Sequence, residues 1–240
     1  MTSGLGWLLS GALIFATTAG AQAPGSSSAG SQASLGASHV YRNAALALTF
    51  SYPAQLAARD ASDADALGQR MVNGENTDPN ATRSGPAPCT KTLLALGTGP
   101  GGPGAVAGLA ASLTLFDIDL HCLPPKAVKN RKLLYTTLRG FAAQGVTMMG
   151  MMPIEEPAGY LLEGFPAYIA ASQGTPVTNS DLQSGESQVM AVVAVAAKEH
   201  ILAWMMESND LGFFNRMLAS QVDFGAGQAQ PLFAPGLHPE

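Results

Sequence analysis

The strongest constraint on the fold is the stretch from Ser187 to Glu207. Two nearly uninterrupted apolar runs, Ser187 to Ala197 and Ile201 to Glu207, flank the polar triplet Lys198-Glu199-His200. Short apolar runs rich in β-branched residues around a polar break read as two antiparallel strands. A strand that is apolar on both faces must be covered on both, so this hairpin belongs in the middle of a sheet. Everything else in the chain has to provide its edges and covers.

Further strands follow from period-two patterning. Val40-Tyr41 precedes Leu46, Leu48, Phe50 and Tyr52, with Asn43-Ala44-Ala45 able to turn one strand into the next and Pro53 ending the second. Lys91 to Leu96 is a short apolar strand. Leu113 to Leu120 places Leu113, Leu115, Asp117 and Asp119 on one face and Phe116, Ile118 and Leu120 on the other. Tyr160 to Leu162 and Phe165 to Ala171 are strands separated by Glu163-Gly164. Helical patterns cover 54–70, 105–111, about 125–144 and 210–220. The third opens at Pro124-Pro125 and has Gly145 as its terminator, and the fourth is capped by Ser208 or Asn209. Strands clustered in hairpins, rather than alternating with helices, predict an α+β domain with a largely antiparallel sheet.

The chain ends differ from this domain. Residues 1–21 read as a secretory signal: an uncharged apolar run (Leu5, Trp7 to Leu9, Leu13 to Phe15) gives way to small residues. Of the sites Ala19-Gly20-Ala21 and Ala21-Gln22-Ala23, the first is favoured, because cutting at the second leaves Pro24 leading the mature chain. Residues 22–38 are a Ser/Gly/Ala spacer, 39–224 a single domain, and 225–240 a Pro/Gly-rich tail. An exported protein, periplasmic or secreted, meets an oxidising compartment, which makes a Cys89–Cys122 disulfide the default reading of its two cysteines.

Charge is sparse and segregated. Charged residues are 12% of the chain, its net charge is −5, and the first 41 residues carry none. This excludes a coiled coil and a polyelectrolyte binder of nucleic acid. Yet Lys126, Lys129, Arg131, Lys132 and Arg139 concentrate five of the twelve basic residues on one expected helix, with no acid between Asp119 and Glu155. Such a surface suits an acidic protein or an anionic membrane.

Motifs for chemistry are weak. Gly97-Thr98-Gly99-Pro100-Gly101-Gly102 fits G-x-G-x-x-G, with Asp117 twenty residues after Gly97, but 27 glycines make chance matches common. The Gly97–Gly104 segment therefore reads as a connector loop, with a ligand-binding or enzymatic role as the alternative. Met148, Met149, Met151 and Met152 could offer thioethers to Cu(I), with His121 elsewhere, and read first as packing. Glu155-Glu156 reads as a surface loop, and Asp117 with Asp119 is too few ligands for Ca²⁺. No G-x-S-x-G occurs. No catalytic, cofactor or metal residues are assigned.

Three segments in order resemble the PsbP-like α/β/α sandwich family: Val40-Tyr41 with Leu48-Thr49-Phe50-Ser51-Tyr52-Pro53, then Leu162-Glu163-Gly164-Phe165-Pro166-Ala167-Tyr168, then the hairpin 187–207 with helix 209–220 and Val222-Asp223-Phe224. The resemblance implies a central antiparallel sheet with helices packed on both faces, and a non-enzymatic binding or assembly role. The 72–111 segment departs from that family's pattern.

Overall fold

In the computed structural model the described residues are 38–62, 89–98, 107–123, 130–147, 151–154, 156–174 and 187–233. The hairpin that anchors the sequence reading sits at the centre of the larger of two sheets. Its strands are β9 (Gln188–Ala197) and β10 (His200–Ser208), paired in register from Ala197↔His200 to Val189↔Ser208. Lys198 takes φ 58° in the two-residue turn.

Around this hairpin run β3 (Ala57–Ala58), β4 (Thr90–Gly97), β5 (Ala111–Asp119), β6 (Met152–Pro153), β7 (Ala158–Leu162) and β8 (Phe165–Gly174). The order is β3-β4-β5-β10-β9-β8-β6, with β7 also pairing β8, and every pairing is antiparallel. The β7–β8 turn has φ 49° at Glu163 and 80° at Gly164, the positive-φ pair that a tight two-residue hairpin demands. A second sheet of four strands has the order β1-β2-β11-β12, from β1 (Ser38–Asn43), β2 (Leu48–Pro53), β11 (Gln221–Asp223) and β12 (Gln230–Pro231).

Two helices are described. α1 (Arg131–Thr147) starts at Asn130, whose side-chain oxygen accepts from the Leu133 N–H at 2.9 Å. It runs through Gly145, which is buried in the helix instead of ending it. α2 (Leu211–Leu218) is capped by Asp210, whose carboxylate accepts from the Phe213 N–H, in place of the expected Ser208 or Asn209.

The two faces of the large sheet have unlike covers. Phe116, Ile118, Met190, Val192, Ala194 and Ile201 pack beneath Leu138, Phe141, Ala142 and Val146 of α1. On the opposite face Leu113, Leu115, Val193, Val195, Leu202 and Trp204 meet Leu48, Phe50 and Val222 of the second sheet, with Phe213, Phe214 and Met217 of α2. The rings of Phe50 and Trp204 lie 5.7 Å apart at 56° across that interface.

The α/β/α sandwich with helices on both faces is thus overturned. The protein is mostly antiparallel β structure in two sheets. The physical reason is that β2 finds a partner in β11, 172 residues away along the chain by the register Phe50↔Val222, a separation no local pattern can signal. That pairing makes the N-terminal strands a cover layer of their own and leaves α2 only a share of one face.

Two other expectations shift. Residues 57–58 form an edge strand where a helix was expected, while 63–70 lie outside the described residues. Ala111 belongs to β5, and Leu109 and Ala110 are not helical. The expected signal and most of the spacer (1–37) also lie outside. The chain stays packed beyond Phe224: Leu232 is fully buried, and its N–H donates to the Ser220 carbonyl at 2.7 Å.

Candidate functional site

α1 carries the only part of the expected basic surface that falls among the described residues. Its sequence, RKLLYTTLRGFAAQGVT, contains no acid. Burying Leu138, Phe141, Ala142 and Val146 turns Arg131, Lys132 and Arg139 outward, and all three are exposed. Lys126 and Lys129 lie outside the described residues.

Arg131 is held by Tyr135 one turn on, donating to its hydroxyl from Nε at 3.1 Å and Nη2 at 2.9 Å. Its guanidinium also lies 5.4 Å from that ring's centre. Tyr135 in turn meets Tyr168 of β8 edge-on at 5.8 Å. Tyr168 lies across Gly159 of β7, where a Cβ would come within 2.8 Å of its Cζ. A continuous Arg-Tyr-Tyr surface therefore links the start of α1 to the sheet edge. Arg139, two turns along, pairs with Glu156 in the segment between β6 and β7.

A groove opens beside this ion pair. Pro153 ends β6 after two residues, and Pro157 stands before β7, so the intervening segment cannot continue the ladder on β8. The Ile154 N–H still donates to Ala171 at 2.9 Å, which holds the segment at the edge. The space between it and α1 measures about 460 Å³. Ala143, Val146, Ile154 and Ala170 give it apolar walls, and Arg139, Glu156 and Thr147 supply the polar groups. Met152, 76% exposed, and Ile154, 49% exposed, leave apolar surface on the same edge.

Two His–Asp pairs gather at another place, where β5 ends and β10 begins. His200 Nδ1 lies 2.7 Å from Asp117 Oδ1, and His121 Nδ1 lies 2.9 Å from Asp119 Oδ1. Asp119 also accepts from the His121 N–H at the start of the short 3₁₀ turn Leu120–Cys122. That backbone bond, with the facing imidazole, holds the Asp119 carboxyl below its ordinary range, and the same carboxylate raises the His121 imidazole. A carboxylate on Nδ1 orients an imidazole for proton transfer through its other nitrogen. Among the described residues, however, no hydroxyl or thiol is hydrogen-bonded to either ring, and no group of three or more His, Cys, Asp and Glu could hold a metal.

A third cluster is buried. Glu207, 4% exposed, faces Ser112, whose hydroxyl lies 3.5 Å from its carboxylate, and the charge of Arg59 acts on it as well. Burial raises the Glu207 carboxyl above its ordinary range against both of these neighbours. Arg59 lies over Gly97, where a Cβ would meet its Cδ at 2.2 Å.

This register disposes of convergence between Gly97 and Asp117. Gly97 pairs with Ser112, whereas Lys91 pairs with Asp117. The two sites lie five strand residues apart on β5, roughly 17 Å. Asp117 is engaged by His200 instead. Residues 99–106 of the glycine loop lie outside the described residues.

The methionine run divides. Met151 is buried with Met190 and Met205 under α1, whereas Met152 points outward, and Met148 and Met149 lie outside the described residues, as does Glu155. For the cysteines, the Asp119 N–H donates to the Cys89 carbonyl at 3.1 Å, which brings Cys89 beside the Leu120–Cys122 turn. The side chain of Cys122 lies outside the described residues.

No protein-family model matches the chain, and no curated protein matches it. Among solved structures it is similar to LpqN of Mycobacterium tuberculosis, described as involved in cell envelope biogenesis. The identity is 12% and the TM-score 0.31, over 55% of this chain and 77% of LpqN. No family membership is shown. No helix among the described residues is long and apolar enough to cross a membrane.

Sequence reasoning placed Arg131, Lys132 and Arg139 together on one helix, where they are exposed, because clustered charge on an amphipathic helix is a local signal. It missed the groove, although Pro153 and Pro157 on either side of Ile154 were its trace. It saw Asp117 and Asp119 on one face but not their imidazoles, because His200 reaches Asp117 only through strand pairing across 83 positions.

Proposed function

We propose that this protein is an exported, non-enzymatic binding domain that docks an acidic protein through the exposed face of α1. The observation that carries this reading is the trio Arg131, Lys132 and Arg139, all exposed on a helix that has no acid of its own. Positive potential concentrated on a protein of net charge −5 gives an acidic partner one favoured approach. Tyr135 and Tyr168 add rigid aromatic surface beside it, the kind that contributes most where two proteins meet. Export rests on the apolar N-terminal run and its small-residue cleavage site.

The test compares wild type with an Arg131→Glu/Lys132→Glu/Arg139→Glu variant, using fluorescence anisotropy of a labelled oligoglutamate peptide at low salt. Binding that weakens at least tenfold in the variant, and in wild type on adding salt, supports the reading. Equal binding by the two proteins overturns it. Retention by anionic-lipid vesicles with none by the peptide replaces an acidic protein with a membrane surface.

A further inference from the structure

From the groove between α1 and the β6–β7 segment, we infer a second binding site, which takes a small amphiphile with one carboxylate and an unbranched apolar body. The inference does not rest on protein docking at the α1 face, although Arg139 belongs to both surfaces.

Four features of the groove point to this chemistry. Its volume, about 460 Å³, lies in the range of small-ligand sites. Its charge is one-sided: Arg139 and Glu156 stand together as an ion pair, and apart from Thr147 the rest of the wall is apolar, with Ala143 and Val146 on the helix and Pro153, Ile154, Pro157 and Ala170 facing them. Arg139 already holds a carboxylate there, that of Glu156, so its guanidinium is positioned for that group. The pair is 53% and 85% exposed, and exposed pairs of this kind hold weakly, so an incoming carboxylate can take the place of Glu156.

The helix sets the length of the ligand. From Arg139 to Thr147 α1 rises about 12 Å, the span of an extended chain of about ten carbons. A carboxylate on Arg139 then leaves the alkyl body against Ala143 and Val146 on one side and Ile154 on the other. Glu156 acts as a tethered competitor at the mouth: it satisfies Arg139 in the empty groove and swings out when the ligand enters. The exposed side chain of Met152 extends the apolar edge beside the same segment.

Isothermal titration of the full chain with decanoate and decylamine below their micelle concentrations, and with decanol below its solubility limit, tests the site. Decanoate is expected to bind at one site, with decanol at least tenfold weaker and decylamine weaker still. Arg139→Gln should weaken decanoate at least tenfold, and Glu156→Gln should tighten it several-fold, a sign that a nonspecific apolar surface does not produce. Val146→Trp should block the groove. A methyl spectrum of each variant confirms that it folds, and Val146→Ile stands in if the tryptophan variant does not. The inference is overturned if decanol binds as tightly as decanoate, if Arg139→Gln leaves affinity unchanged, or if Glu156→Gln weakens binding. Decanoate affinity that is retained in an Arg131→Glu/Lys132→Glu variant keeps this site separate from protein docking, and its loss there overturns the site as drawn.

Discussion

Removing Leu232 tests whether the C-terminal segment is part of the fold or an appendage. The composition of residues 225–240 reads as a tail, yet the structure ties the segment down at several points. Leu232 is fully buried, its N–H donates to Ser220, and its carbonyl accepts from the Tyr160 hydroxyl at 2.7 Å. The neighbouring Phe233 N–H donates to Leu218 at 2.9 Å, and its ring meets Tyr160 edge-on at 5.6 Å. Burial raises the Tyr160 phenol above its ordinary range, so the hydroxyl stays a donor at any working pH.

Leu232→Ala leaves a cavity at a fully buried site and should cost about 2–5 kcal/mol. Tyr160→Phe orphans the Leu232 carbonyl and should cost about 1–3 kcal/mol. The two residues touch, so the double variant should depart from additivity by about 0.5 kcal/mol or more. Set against total stabilities of about 5–15 kcal/mol, cutting the chain after Phe224 should leave it barely folded. Urea unfolding followed by far-ultraviolet circular dichroism reads the two single variants and the double variant through the midpoint, with the slope checked for constancy, and shows the truncated chain losing its folded baseline. A Leu232→Ala loss below about 1 kcal/mol at unchanged slope would refute the reasoning, because a residue packed in the core cannot be that cheap.

Two further outcomes follow from the buried acid and the cysteines. An acid whose folded pKa lies above its unfolded value favours folding fully below the unfolded pKa and loses that contribution as pH rises through the folded one, which is the position of Glu207. Glu207→Gln should therefore gain on wild type in thermal stability as pH rises from acid to neutral, and parallel curves for the two proteins would rule this out. Protein from an oxidising compartment should show no reactive thiol until reduced, and Cys89→Ser should lower stability by on the order of 3–4 kcal/mol. Labelling of both Cys89 and Cys122 in unreduced protein would remove the disulfide.

What was legible in the chain was local or periodic. The β9–β10 hairpin announces itself by composition, β5 by alternation that puts Leu113 and Leu115 on one core and Phe116 and Ile118 on the other, and α2 by a stripe of Leu211, Phe214, Met217 and Leu218, of which Leu211 is exposed instead of buried. What was hidden depends on pairing between distant segments. No residue of Leu48–Pro53 indicates that its neighbour is Gln221–Asp223, so the second sheet could not be seen and the helical sandwich suggested by resemblance stood in its place. Gln230 and Pro231 carry no strand signature. They are ordered by what surrounds them, above all the core position that Leu232 fills.

The same division accounts for where a ligand can enter. On the face of the large sheet toward the second sheet, Trp204, Phe50, Leu113 and Phe213 are each fully buried, and a cover made of strands leaves little room between layers. The opposite face is covered by α1, and a helix is a rod laid over a wide sheet. Leu138 and Ala142 seal its central line, but at its flank the sheet edge breaks at Pro153 before resuming at Ala158. Closing that flank would require bulk from α1, and the residue there is Ala143 where a leucine or phenylalanine would fill the gap. Small side chains on the helix, an interrupted edge strand and an arginine at the mouth together keep this flank open. Ala143→Leu should close it without touching Arg139, Arg131 or Lys132, abolishing decanoate binding while the oligoglutamate peptide still binds. Loss of both together would mean that the groove and the basic face are one site.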